Sequence, residues 1–152
     1  MKKRSKKLFT SFGVVLVAFL GVAIFLYLNV HTVQVSGVSM LPTLKNGQRV
    51  LVTKAYWLPG VGPISRKDIV VLRDTSPGAL PGAYIIKRVQ YLPGDTVPFF
   101  DEPKYRSFAE GPLKIDPGYL YVMGDNLPQS EDSREFGPVA SDNVLGKVVV
   151  WR

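Results

Sequence analysis

Ala83-Tyr84-Ile85-Ile86-Lys87-Arg88-Val89-Gln90-Tyr91 is an unbroken run of mostly β-branched and aromatic residues, closed off by Gly82 before it and Pro93-Gly94 after it. Such a run reads as a β-strand. Shorter runs of the same character lie on either side. Val33 and Val35 alternate with polar neighbours, and Arg49 to Lys54, Asp68 to Arg73, Tyr119 to Met123 and Val144 to Trp151 follow, each bounded by Gly, Pro, Asn or Asp. No amphipathic helix of more than two turns is evident between them, and the connections are too short for helical crossovers. Residues 31–152 are therefore expected to form a mainly β, antiparallel sheet domain. The stretch from Val97 to Pro117 carries Pro98, Pro103, Pro112 and Pro117, and reads as a reduced inserted lobe, 97–117, between two core strands. Tyr56 to Pro63 is a hydrophobic loop that either packs on the core or dips into a lipid interface, the layer Trp and Tyr favour.

The chain has a different character before this domain. Leu8 to Val30 contains no charged residue, a run of 23 positions. As a helix at about 1.5 Å per residue it would reach roughly 34 Å, enough to cross a bilayer core. The expected organisation is a basic tail over 1–7, one transmembrane helix over 8–30 and an extracytoplasmic domain over 31–152. Gly21-Val22-Ala23 also resembles a leader cleavage site after a shorter apolar stretch. The hydrophobic continuation through Ile24 to Leu28 favours a retained anchor.

The net charge of +7 in 152 residues suggests a nucleic-acid partner, but its distribution argues against one. Five of the 19 basic residues (Lys2, Lys3, Arg4, Lys6 and Lys7) precede the apolar run, while positions 31 onward carry 14 basic and 12 acidic residues. The excess is a topology signal: clustered Lys and Arg stay cytoplasmic, which puts the folded domain on the outer face of the plasma membrane. The chain has no cysteine and one histidine, His31 at the membrane boundary. Thiol catalysis and zinc–thiolate sites are excluded on inventory alone, and His31, an interfacial residue without partners converging on it, offers the outer domain no credible Ser-His-Asp triad and no His-based metal site.

A serine hydrolase without histidine needs another base. In Ser36-Gly37-Val38-Ser39-Met40-Leu41-Pro42-Thr43 a β-run leads into a flexible glycine and a proline, which can hold Ser39 on an exposed turn. Strand alternation puts Lys87 on one face with Ile85 and Val89. Desolvation there favours the neutral amine, and a neutral lysine can accept a hydroxyl proton. Arg88 faces the other way and stays charged. A lysine snorkelling out of a half-buried strand is the ordinary alternative. Gly124-Asp125-Asn126-Leu127-Pro128-Gln129-Ser130-Glu131-Asp132-Ser133-Arg134 is dense in turn formers and small polar side chains, without the spaced carboxylates of a calcium loop.

Taken in order, these three stretches resemble the boxes of type I signal peptidases, the membrane proteases that cleave secretory leaders. Ser39-Met40 with Pro42-Thr43 matches the nucleophile box, Lys87-Arg88 with Pro93-Gly94-Asp95 the base box, and Gly124-Asp125-Asn126 with Ser130, Asp132, Ser133 and Arg134 the last. The resemblance implies Ser39 as nucleophile, Lys87 as general base, Ser130 orienting the lysine, and Asp132 and Arg134 as a bracing ion pair. It implies no metal and no cofactor, a monomer in the lipid bilayer, and secretory precursors as substrates, with small residues at the first and third positions before the cut. Met40, Leu41 and Ile85 are the expected walls of the substrate pockets. Two positions depart from the fullest pattern: Gly37 stands where several members carry a serine that helps form the oxyanion hole, and Lys67 stands where a glycine is usual. The oxyanion hole is then expected to rest on backbone N–H groups, that of Ser39 first.

Three competing readings are weaker. A self-cleaving repressor-type protease would lack its DNA-binding domain. Asp74-Thr75-Ser76 mimics an aspartic-protease signature that recurs by chance. A membrane-tethered β-domain that binds a secreted partner without catalysis would leave Ser39 and Lys87 freely replaceable.

Overall fold

The computed structural model describes residues 2–56, 61–75, 78–107 and 110–149. The chain divides into two units, residues 1–31 and residues 32–152. The first holds helix α1, Lys2–Asn29, whose last turn is tied by the Asn29 side-chain amide donating to the Phe25 carbonyl at 3.0 Å. From Val14 to Leu28 its large apolar side chains are exposed apart from Phe25, which is half-buried. Among the described residues no helix is long and apolar enough to cross a membrane.

The second unit is built on an antiparallel sheet, as the alternating apolar runs require. Its strands are β1 (Val30–Gln34), β2 (Arg49–Thr53), β3 (Ile69–Arg73), β4 (Tyr84–Tyr91), β5 (Tyr119–Met123), β6 (Val139–Ala140) and β7 (Val144–Val149). They lie in the order β1-β2-β7-β3-β4-β5-β6, with β7 returning to insert between β2 and β3. The inserted strand approaches β2 closely. A Cβ on Gly146 would stand 2.5 Å from a Val52 methyl, so only glycine fits there without a shift. Among the described residues one α-helix follows the start of the sheet, α2, a single turn over Ser133–Phe136, beside short 3-10 turns.

Both faces of the central strands are covered. Ile69 and Val71 of β3 and Ile86 of β4 join Met40, Leu44, Val50, Val52 and Val148 in one core. The intervening Val70 and Leu72 of β3, with Val89 of β4, join Leu120 and Val122 in a second, where Ile85 packs. This is strand alternation seen on two adjacent strands at once, and it assigns Lys87 to the face of Ile85 and Val89. The segment after β4 is pinned at its base by a Thr96–Lys114 bridge. Val97 and Ile115 pack there on Tyr121 and Met123.

The sequence reading found five of these strands within one or two residues. It did not identify β6 or α2, which are too short to show a period. Much of the Tyr56 to Pro63 loop (residues 57–60) lies outside the described residues, as do Ser76, and Trp151 at the end of the last run.

Candidate active site

Ser39 sits on the turn between β1 and β2. Gly37 has φ +89°, the left-handed region that favours glycine, and its N–H donates to the Asn46 side chain at 3.0 Å. The Leu41 N–H closes the turn on the Val38 carbonyl at 3.1 Å, and the Leu44 N–H donates to the Met40 carbonyl at 2.9 Å. Met40 and Leu44 are both sunk in the core, so the turn carrying Ser39 hangs from two buried anchors.

Lys87 lies in β4 opposite Val70 of β3. Its residue exposure is 4%, and its Nζ donates to Ser130 Oγ at 3.1 Å. Burial pushes the Lys87 amine below its ordinary value, against the opposing pull of the Asp132 and Glu131 charges. Ser39 and Lys87 line one cavity of about 260 Å³. Val38, Ile85 and Phe136 give it apolar walls, and Asp74 and Glu131 bring carboxylates to it. Among the described residues no hydrogen bond joins Ser39 to Lys87. A second cavity of about 330 Å³ shares Asp74, Ile85, Glu131 and Phe136 with the first.

The loop after β5 positions the remaining polar groups. Asp132, fully buried, caps α2 and accepts from the Arg134 N–H at 3.2 Å. It also accepts from the Arg134 guanidinium at 2.9 and 3.0 Å and from the Gly124 N–H at 3.0 Å. Burial alone would raise this carboxyl. The hydrogen bonds from Arg134, Gly124 and Ser130 more than reverse that and hold it below the usual carboxylate range. Gly124 has no room for a side chain: a Cβ there would stand 2.2 Å from Ser130 Oγ and 2.5 Å from the Ser39 carbonyl oxygen. On the opposite face of β4, Arg88 grips Asp125 with two bonds of 2.7 and 2.6 Å. It also donates to the Lys67 carbonyl at 2.7 Å.

Of the residues singled out from sequence, the fold brings Ser39, Lys87 and Ile85 to one cavity and places Ser130, Asp132 and Arg134 in one bonded network behind it. Met40 is a correction. Its side chain is 1% exposed within the core and has no surface with which to wall a pocket. Neither it nor Leu41 lines the cavity. Val38 and Phe136 take the expected place of Met40 and Leu41, with Asp74 and Glu131 adding charge. Phe136 could not be found by pattern, because a single helical turn has no period. Asp74 had been set aside with the chance tripeptide.

The family described as "Signal peptidase, peptidase S26" matches residues 6–105 and 100–151. A signal peptidase I from Bacillus caldolyticus is 32% identical, covering 75% of this chain and 74% of that protein. Subunit 2 of the mitochondrial inner membrane protease from Saccharomyces cerevisiae is 35% identical, covering 90% and 78%. Among solved structures, a signal peptidase I from Enterococcus faecalis V583 shares 25% identity over 58% of this chain and 98% of that one, at a TM-score of 0.43.

The Lys87 environment yields a measurable expectation. Its ammonium should deprotonate below the roughly 10.4 of a free lysine, as read from ¹⁵N-lysine NMR of the detergent-solubilised chain. Glu131→Gln removes a negative charge that favours the ammonium, so the midpoint should fall further. A Lys87 midpoint at or above the free-lysine value would contradict burial as the dominant influence.

Proposed function

This chain belongs to the signal peptidase family, peptidase S26, and is a serine peptidase, and we propose that it removes signal peptides from secretory precursors with Ser39 as nucleophile and Lys87 as general base. The observation that carries this reading is the burial of Lys87, at 4% exposure, on the cavity that Ser39 also lines. A lysine that only snorkelled would keep its amine in water. This one donates to Ser130 at 3.1 Å inside the protein.

The chemistry is acyl transfer. Neutral Lys87 takes the Ser39 hydroxyl proton as Oγ attacks the scissile carbonyl. The Ser39 N–H faces the developing oxyanion, a donor of the kind worth about 3 kcal/mol in other serine proteases. The Lys87 ammonium then gives its proton to the leaving amine, and an ester joins Ser39 to the substrate's acyl part. Neutral again, Lys87 activates a water that hydrolyses the ester. Ser130 holds the amine in place, and Asp132 and Arg134 hold Ser130. The substrate is an extended chain whose alternate side chains face the same wall. Val38, Ile85 and Phe136 on that wall leave room for small side chains.

The domain of residues 31–152 carries this chemistry and the lobe 97–117 is an insertion in it. The segment 8–30 is its single-pass anchor in the plasma membrane, with the tail 1–7 cytoplasmic. Supporting the anchor are the charge-free run from Leu8 to Val30 and the apolar side chains that α1 leaves uncovered, which need an apolar environment. Added protease should digest the region after His31 in intact spheroplasts and spare a tag at Met1; protection of the domain would invert this topology.

Ser39→Ala, Lys87→Ala and Lys87→Arg should each lower cleavage of a leader-bearing precursor by roughly 1,000-fold or more, because arginine cannot act as a base near neutral pH. Retained cleavage in Ser39→Ala would refute the dyad and favour a non-catalytic binding domain. Precursors with alanine at the first and third positions before the cut should be cleaved well, and phenylalanine at either should block cleavage. Equal rates for the two would contradict the small pockets.

A further inference from the structure

The geometry points to Asn126 as the positioning residue of the oxyanion donor, through its grip on both peptide units that flank Ser39. This inference rests on the reading of Ser39 as nucleophile.

The Asn126 backbone N–H donates to the Ser39 carbonyl at 2.9 Å. Its side-chain Nδ2 donates to the Val38 carbonyl at 3.1 Å. Those carbonyls belong to the Ser39–Met40 and Val38–Ser39 peptides, so one residue holds the planes before and after the nucleophile. The second of these bonds has the larger chemical consequence. A trans peptide is planar, with its C=O and N–H pointing in opposite directions. The Val38 oxygen also accepts from the Leu41 N–H within the turn at 3.1 Å, so the two donors together fix that oxygen and with it the direction of the Ser39 N–H, which belongs to the same peptide. Among the described residues that N–H has no hydrogen-bond partner. It is an oriented donor with nothing to donate to, as an oxyanion site requires. A bond accepted at the oxygen also polarises the N–H at the other end of the unit.

The amide itself is held in one orientation. Nδ2 also donates to Gln129 Oε1 at 3.0 Å, so both of its hydrogens are used, and the opposite flip would set Oδ1 against the Val38 oxygen, which can only accept. Asn126 follows Asp125, locked to Arg88 by two bonds, and Gly124, whose N–H is held by the buried Asp132. The clamp is thus mounted on the same loop that supports the lysine. The sequence gives this clamp added weight, because Gly37 supplies no side-chain hydroxyl as a second donor.

The test compares Asn126→Ala and the isosteric Asn126→Asp, which cannot donate to Val38, with the unaltered full chain in detergent. Active-site titration with a serine acylating reagent corrects for any misfolded fraction. Per active site, kcat on a precursor should fall roughly 10- to 100-fold in both variants, short of the roughly 100- to 1,000-fold loss from deleting a direct oxyanion donor. KM should stay within about twofold, and the pH at which activity rises should not move, because Lys87 is untouched. A peptide aldehyde, which forms a tetrahedral adduct on Ser39, should bind more weakly by the same factor as kcat falls. An unchanged kcat per active site, or a weakened KM with unchanged aldehyde affinity, would overturn the assignment. Ser39→Ala run alongside separates the two failures: an active Ser39→Ala refutes the nucleophile itself, whereas an inactive one beside an unimpaired Asn126→Ala refutes only the clamp.

Discussion

A primary amine placed among aliphatic side chains must lose its charge or find partners for it, and that constraint on Lys87 organises the structure around it. The lysine is fixed between Ile85 and Val89 on a strand whose two faces are both covered. Desolvating an ammonium there is costly, and among the described residues the amine donates one hydrogen bond, to Ser130. That bond needs Ser130 Oγ close to Gly124, within a space where any Cβ would collide with it. The same absent Cβ lets the Ser39 carbonyl come near. Gly124 is thus required by crowding rather than by backbone freedom, and through it the serine turn and the lysine strand meet the same loop.

The strands were legible because a half-buried strand must alternate, and the facing of Lys87 with Ile85 followed from that period alone. The three polar stretches were legible as a resemblance, and spacing alone could not have joined them. Ser39, Lys87 and Ser130 are separated by dozens of residues, and only the pairing of β4 with its neighbours brings them together. Met40 was misread for a local reason. Proximity to Ser39 suggested a cleft wall, but Met40 lies in a turn, where direction does not alternate, and it serves to anchor the turn in the core. Lys67 shows how a sequence departure acquires a physical meaning. It has a positive φ of 70°, alone among the described non-glycine residues, at a position where the resembling family usually has glycine. The left-handed conformation costs an ordinary residue roughly 1–2 kcal/mol. Here the strained unit is held at both ends: its N–H donates to the Val89 carbonyl at 2.8 Å and its own carbonyl accepts from Arg88.

Adjacent residues of β4 carry opposite requirements. Lys87 must lose charge easily, and Arg88 must never lose it. Strand alternation separates them onto two faces, so each receives its own environment. Arg88 meets Asp125 in a two-pronged ion pair, and that hydrogen bonding raises its already high pKa further. Exchanging the two residues would leave a permanent cation in the apolar face and a flexible single-point donor where a planar fork is needed.

The remaining difficulty is the buried carboxylate of Asp132, whose charge favours the ammonium form of Lys87 and so opposes its use as a base. Removing the carboxylate is not a solution, since it receives the Gly124 N–H and caps α2. Arg134 eases the conflict. Its guanidinium neutralises Asp132 at 2.9 and 3.0 Å, and its own charge pushes the Lys87 pKa down while that of Asp132 pushes it up. The Arg134 charge therefore opposes part of the pull that Asp132 and Glu131 exert on the lysine, while the local bonds that the Asp132–Arg134 pair makes remain. Burial remains the dominant influence on the amine. A buried ion pair contributes little to stability for its own sake. In this position it allows a fully buried acceptor to organise the loop without keeping the neighbouring lysine charged.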